Sequence, residues 1–152
     1  MGVQNCPCFN LGLAHRRVVR LYEEALAPLG LTIAQAHFLS CLFERDAMLA
    51  KDLAAALRVD AGTLTPMIDR MERQGMIRRC PCPGDRRAVR ICLESAGRKL
   101  KPEIEARCGE VAVRLASKLS EEDYTRFMAI MKQIGDEEAE PAGLDEACSA
   151  GR

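Results

Sequence analysis

The sequence predicts a mainly α-helical fold interrupted by one two-stranded hairpin. Three observations carry this reading. Apolar residues recur every three to four positions through most of the chain. Helix-start and helix-stop residues bracket those stripes. One stretch, residues 76–93, loses the helical period and is punctuated by Pro81, Pro83 and Gly84. Trp is absent and aromatics make up 4% of the chain, so the core must be built from Leu, Ile, Val, Met and Ala.

The elements follow in order. A first helix spans about residues 9–29, with Leu11, Ala14, Val18, Leu21, Ala25 and Leu26 on one face and Gly30 as its stop. Thr32-Ile-Ala-Gln35 is a capping box that opens a second helix, about 33–44, with Ala36, Leu39, Leu42 and Phe43 inward. A short third helix, about 50–57, carries Leu53, Ala54 and Leu57. Arg58-Val59 turns, and Asp60 caps a fourth helix, about 61–74, with Leu64, Met67, Ile68 and Met71 inward and Gly75 at its end. Strands follow at about 76–81 and 88–93, with Pro81 limiting their pairing. A long helix runs from about 95 to 118 with Leu100, Ile104, Cys108, Val111 and Leu115 on one face, and Pro102 kinks it or marks its first turn. Ser120-Glu-Glu-Asp123 caps a last helix, about 121–138, with Phe127, Met128, Met131 and Ile134 inward. Residues 139–152 read as a disordered tail.

Two short helices joined by a tight turn, followed by a basic hairpin, form a winged helix-turn-helix over residues 31–94. The helices at 9–30 and 95–138 flank it, and their apolar stripes are expected to pack together and onto a second copy as a two-fold dimer. The whole chain thus reads as a single domain. No apolar run is long enough to span a membrane and no signal pattern opens the chain, so a cytoplasmic protein is the expectation.

Charge resolves along the chain although its sum is zero. Between Arg70 and Lys101 ten Lys/Arg stand against three Asp/Glu, whereas Asp136 to Glu146 holds six acids and no base. The basic middle is where a polyanion would sit. On the fourth helix Thr63, Thr65 and Pro66 face outward near the N-terminus, where Thr hydroxyls can meet phosphates or base edges in a major groove. Arg70 and Arg73 lie deeper on the same polar face, and Asp69 needs a base or a side chain as partner. Arg78, Arg79 and Arg90 on the strands are expected to add phosphate contacts. Arg86 and Arg87 at the hairpin tip are candidates for a minor groove, with Asp85 holding a neighbouring arginine extended. These residues point to double-stranded DNA, and a dimer points to a palindromic operator.

At these residues the chain resembles the MarR family of winged-helix regulators. The resemblance covers about residues 9–136. It rests on Leu31-Thr-Ile-Ala-Gln35, Leu53-Ala to Leu57-Arg-Val-Asp60, Gly62-Thr-Leu-Thr-Pro66, Gly75-Met-Ile-Arg-Arg79, and Asp85-Arg-Arg87 with Leu93 and Gly97-Arg98. It implies a homodimeric DNA-binding repressor released by a small ligand or by oxidation. Glu94 stands where the family usually has Thr. Gly62-Thr-Leu-Thr-Pro66 is especially similar to the OhrR-type branch that senses organic hydroperoxides, as are Cys8-Phe9 and Leu21-Tyr22. Two further tyrosine positions of that branch are Gly12 and Ala36 here. The opening Cys6-Pro-Cys8-Phe-Asn10 also resembles a branch that begins Cys-x-Cys-Phe-Asn.

The eight cysteines, without a signal peptide, do not read as a disulfide framework. Cys41, Cys92 and Cys108 lie in apolar periodic segments and read as core, and Cys148 falls in the tail. A cysteine at a helix start is favoured as thiolate by the first N–H groups, which makes Cys8 the sensing candidate and Cys6 its resolving thiol. Tyr22 lies fourteen residues along the same helix, about 21 Å away, so it can meet Cys8 only across a dimer. Cys80-Pro-Cys82 makes a second pair, and thiophilic metal or metalloid binding stays open. Cys-x-Cys is not the usual zinc spacing, and His15 and His37 lie far from both pairs, so no metal set and no cofactor is read. The expected function is a repressor relieved by thiol oxidation at Cys8. Its alternatives are relief by a phenolic or amphipathic small molecule or by a metal, and a winged helix used for protein contacts only. A thiol enzyme is disfavoured because no Cys-x-x-Cys and no nucleophile–base pairing is evident.

Overall fold

A computed structural model describes residues 2–82 and 85–136, and the side chains of residues 85–87 lie outside the description. The chain divides into two compact units, Met1–Ala112 and Val113–Arg152. Its elements are α1 (Pro7–Leu26), α2 (Ile33–Glu44), β1 (Met48–Leu49), α3 (Ala50–Leu57), α4 (Ala61–Arg73), β2 (Ile77–Cys82), β3 (Asp85–Leu93), α5 (Ser95–Lys99), α6 (Lys101–Ala116) and α7 (Glu121–Asp136). The mainly α winged helix-turn-helix is therefore present. No single helix among the described residues is long and apolar enough to cross a membrane.

Local chemistry explains the helix ends. Pro7 occupies the first position of α1, where its missing N–H costs nothing, so this helix begins two residues earlier than its apolar stripe implies. It ends at Leu26, passes through a 3₁₀ turn over Ala27–Leu29 and stops at Gly30, whose φ of 67° is left-handed. Both halves of the Thr32–Gln35 capping box form. The remaining Gln35 amide donates to the Gln74 side chain at 3.3 Å, tying the start of α2 to the end of α4. Asp60 caps α4 through the Thr63 N–H at 2.7 Å. The long helix expected at 95–118 is two helices. The break falls at Leu100, and Pro102 sits in the first turn of α6, the position a proline tolerates.

The sheet is larger than the expected hairpin. Its order is β1-β3-β2, all antiparallel, with β1 adding a third strand through Met48↔Ile91. Strand β2 also continues past Pro81, which pairs with Val89, and the register slips only between Pro81 and Cys82. Two residues of β1 are too few to show a period, which is why the strand is silent in the sequence.

In the first unit one core joins all of this. Leu26 and Leu31, Phe38, Leu39 and Leu42 of α2, Leu53 of α3, Leu64, Ile68 and Met71 of α4, Ile77, Ile91 and Leu93 of the sheet, and Ile104 of α6 are buried together. Cys41 and Cys108 pack at its margin, as expected of core thiols, and burial pushes both thiols up. Cys92 is a correction. Ile91 and Leu93 point into the core, so strand alternation turns Cys92 to the other face.

The second unit contains α7, whose first turn is capped by Ser120 accepting from the Asp123 N–H at 3.1 Å. Here too the expectation is corrected. Phe127, Met128, Met131 and Ile134, expected inward, are exposed, together with Ile130. A single amphipathic stripe needs a facing surface, and among the described residues of its own unit this one has none. The predicted tail, residues 139–152, lies outside the described residues, as does Cys148.

Gly97 is tightly enclosed. A Cβ there would overlap the Met76 carbonyl oxygen, which already accepts from the Glu94 N–H at 2.9 Å. Because that neighbour is backbone, it cannot swing aside. Gly97→Ala is expected to lower stability by about 1–3 kcal/mol, measured by urea unfolding, whereas Gly109→Ala, in open space on α6, is expected to be neutral or stabilising.

Candidate nucleic-acid interface

The helix-turn-helix is α3 and α4 joined through Arg58, which holds a left-handed φ of 54°, then Val59 and Asp60. Helix α4 buries Leu64, Ile68 and Met71 and turns Thr63, Thr65, Pro66, Arg70 and Arg73 to solvent. All five sequence candidates therefore share the accessible side of one helix. Pro66 lies inside α4 and leaves the Gly62 carbonyl without its usual donor.

Both threonine hydroxyl protons are already engaged. Thr63 Oγ1 donates to Asp60 Oδ2 at 3.1 Å, and Thr65 Oγ1 donates to the Ala61 carbonyl at 2.7 Å. A phosphate only accepts, so threonine-to-phosphate bonds are not offered in this arrangement. What remains are hydroxyl lone pairs for base amino groups and methyls for a thymine methyl.

The strand arginines are a further correction. Arg78 pairs with Glu94 at 2.8 Å. Arg79 binds Asp69 at 2.5 Å and also Glu72, whose carboxylate accepts the Arg79 backbone N–H at 2.9 Å. The backbone N–H of Arg79 leads the causes that hold the Glu72 carboxyl below its ordinary range. Arg90 hydrogen-bonds Cys82. Arg78 and Arg79 thus fasten the wing to the start of α5 and to α4, whereas the Arg90 bond stays within the wing. Asp69 thereby finds the side-chain partner its position called for. Among the described residues Arg70 and Arg73 carry no ion pair, which leaves them as the cations of the α4 face. Asp85, Arg86 and Arg87 belong to β3 by backbone, but their side chains lie outside the described residues.

Sequence reasoning missed Asp46. Its carboxylate accepts from the Ala47 N–H at 2.7 Å and the Leu93 N–H at 2.8 Å, and it pairs with Arg98. Partial burial opposes ionisation, yet these hydrogen bonds hold its carboxyl below the ordinary range. Asp46-Ala47 is followed at once by β1, and Ala47 has a φ of 57°; neither shows in a hydrophobic pattern.

The expected sensing residues separate. Cys6 is the N-cap of α1 and half-buried, while Cys8 lies in the first turn and is exposed. Tyr22, half-buried, sits near the other end of the same continuous helix. On the wing, Cys80 and Cys92 meet: the Cys80 thiol is a hydrogen-bond partner of Cys92. Among the described residues no group of three His, Cys, Asp or Glu could hold a metal ion.

Comparison with known proteins points the same way. The MarR family model matches residues 31–89. An organic hydroperoxide resistance transcriptional regulator of Bacillus subtilis is 38% identical over 101 residues, 66% of this chain and 69% of that protein. The transcriptional regulator MgrA of Staphylococcus aureus is 29% identical over 128 residues, 84% of this chain and 86% of that protein. Among solved structures, a mutant MarR from E. coli complexed with operator DNA superposes with a TM-score of 0.77 at 26% identity, covering 82% of this chain and 89% of that one.

Two outcomes are expected of the clamps. Asp46 has a depressed carboxyl pKa in the fold, so its stabilisation is complete above about pH 4, the ordinary carboxylate value. That stabilisation is lost as pH falls through the lower folded value. Asp46→Asn is therefore expected to melt lower at pH 7, by about 1–3 kcal/mol, with the difference from the parent shrinking below pH 4 in thermal scans. A double-mutant cycle of Arg79→Ala with Glu72→Gln is expected to give a coupling of about 0.5–1 kcal/mol, kept small by solvent screening; additive losses would contradict the clamp.

Proposed function

This chain belongs to the MarR family of DNA-binding transcriptional regulators, and on that footing we propose that it is a homodimeric repressor whose hold on a palindromic operator is relieved by oxidation at Cys8. The observation that carries the reading is the α4 face, with Thr63, Thr65, Pro66, Arg70 and Arg73 exposed on a helix whose other side is locked into the core. In a two-fold dimer two such faces stand about 34–36 Å apart and enter successive major grooves. Arg86 and Arg87 reach an adjacent minor groove from the wing, with Asp85 steadying them.

Dimerisation is supported by apolar surface that stays open in the single chain. Phe9, Leu11 and Leu13 on α1 and Phe127, Met128, Ile130, Met131 and Ile134 on α7 are all exposed. Large apolar side chains left exposed along a helix are the kind of surface a second chain covers. The helices at 9–30 and 95–138 serve as the dimer region on this reading.

Oxidative relief is supported by Cys8, which lies exposed in the first turn of α1. It is supported also by the resemblance to a relative named for organic hydroperoxide resistance. The Cys8 thiolate attacks the peroxide O–O bond; it becomes a sulfenic acid and the alcohol leaves. Cys6, at the N-cap, is the thiol placed to condense with it. Fourteen residues of unbroken helix separate Cys8 from Tyr22, about 21 Å, so any contact between them comes from Tyr22 of the partner subunit. That contact couples sulfur chemistry to dimer geometry.

Gel shifts on the gene's own upstream DNA test this reading. In a protein whose wing cysteines Cys80, Cys82 and Cys92 are serine, cumene hydroperoxide is expected to release DNA reversibly. Adding Cys8→Ser is expected to leave the complex bound under the same treatment. Release that persists without Cys8 would overturn oxidative control at that residue.

A further inference from the structure

The wing holds a second thiol site. The β2–β3 register sets Arg78 opposite Cys92 and Cys80 opposite Arg90. Cys80 and Cys92 therefore lie on one face of neighbouring strands, one diagonal step apart. That face is turned away from the core, since Ile91 and Leu93 occupy the other. Both thiols are half-buried, so an oxidant reaches them. Arg90 lies across from Cys80; it hydrogen-bonds Cys82, and its Nε is buried with no partner. A spare buried guanidinium N–H beside these sulfurs can donate a hydrogen bond to an oxygenated sulfur.

We propose that Cys80 and Cys92 form a cross-strand disulfide when the protein meets a hydroperoxide, and that this bond deforms the wing. The proposal rests on the DNA-binding reading for its consequence but not for its chemistry. Cys92 is pushed up to about 11, first by burial and then by its hydrogen bond with Cys80, so it remains a thiol at neutral pH. Cys80, on the edge strand β2, is assigned as the attacking sulfur. Its thiolate takes the distal oxygen of the hydroperoxide, and the O–O bond breaks. Cys80 becomes a sulfenic acid while the alkoxide leaves as alcohol with the thiol's proton. The Cys92 sulfur then attacks the sulfenic sulfur and water departs. In sum two thiols and one hydroperoxide give one disulfide, one alcohol and one water; two electrons pass from sulfur to the peroxide bond.

The geometry makes this bond consequential. Diagonal partners across antiparallel strands stand about 7–8 Å apart. Disulfides need Cα atoms about 4.4–6.8 Å apart. Closing the bond therefore slides β2 against β3. The slip already present between Pro81 and Cys82 is where the sheet yields. Arg79 lies on β2 beside Cys80, so the slide also strains its clamp on Asp69 and Glu72 of α4.

The test uses the full chain with Cys6→Ser and Cys8→Ser, which removes the α1 thiols. Cumene hydroperoxide is added, and non-reducing peptide mapping by mass spectrometry follows, with upstream-DNA affinity measured in parallel. The expected result is one intramolecular Cys80–Cys92 link and a roughly tenfold or greater loss of affinity, both reversed by dithiothreitol. Adding Cys92→Ser should leave Cys80 trapped as a dimedone adduct. A Cys80–Cys82 link, a link between chains, or intact thiols would overturn the proposal. A Cys80–Cys92 link with unchanged affinity would overturn its regulatory half. Failure of the reduced protein to bind DNA would instead overturn the DNA-binding reading, and the mapped link would still decide the thiol site.

Discussion

Asp46 accepts hydrogen bonds at the point where the helix-turn-helix, the wing and α5 meet. The Ala47 N–H, the Leu93 N–H and the Arg98 guanidinium all converge on one carboxylate. The Ala47 bond steadies a left-handed turn that aims the chain into β1 and α3. The Leu93 bond fastens the last residue of β3 to that turn. Arg98 carries the connection into α5, which Gly97 allows to press against the Met76 carbonyl. An ionised group with all its partners from three separate segments is worth more than any one of those bonds. The orientation of the wing follows from it.

Arg79 is the second joint. It reaches from β2 to Asp69 and Glu72 on α4, so that helix and the wing are fastened to one another. This divides the basic residues into two groups. Arg78, Arg79 and Arg98 are consumed by carboxylates inside the lobe. Arg70 and Arg73 carry the charge of the α4 face. The Gln35–Gln74 bond adds a tie at the far end of α4, from a buried amide that also completes a capping box. A reading helix held at its N-cap, its flank and its C-terminus enters a groove at low entropic cost.

Most of the fold was legible in the sequence, because caps and periodicity act locally. Thr32-x-x-Gln35, Asp60, Gly30 and Gly75 each mark an end that the structure places within a residue or two. Long-range chemistry was not legible. Nothing local to Arg79 announces Asp69 and Glu72, and nothing in Asp46 announces Leu93 and Arg98; those partners are brought together only by the return of β3. Cys92 shows a middle case. Its apolar neighbours mark it as core, but the alternation Arg90-Ile-Cys-Leu93 carries the opposite answer, because Ile91 and Leu93 claim the inner face. Pro81 was expected to limit pairing, and the register does slip just after it, yet it still pairs with Val89 because an edge strand tolerates a missing N–H turned outward. On α7 the apolar residues were legible but their burial was not: Phe127, Met128, Met131 and Ile134 are exposed.

The central claim is that α4 reads DNA through Arg70 and its neighbours while Arg79 only holds the lobe together. Fluorescence anisotropy on the upstream DNA, with reduced protein across a series of salt concentrations, tests it directly. The account predicts a steep fall of log affinity with log salt. Arg70→Ala should shallow that slope by about one, and Arg79→Ala should weaken binding without changing it. Affinity indifferent to salt, or a slope that changes with Arg79 and not with Arg70, would contradict the account.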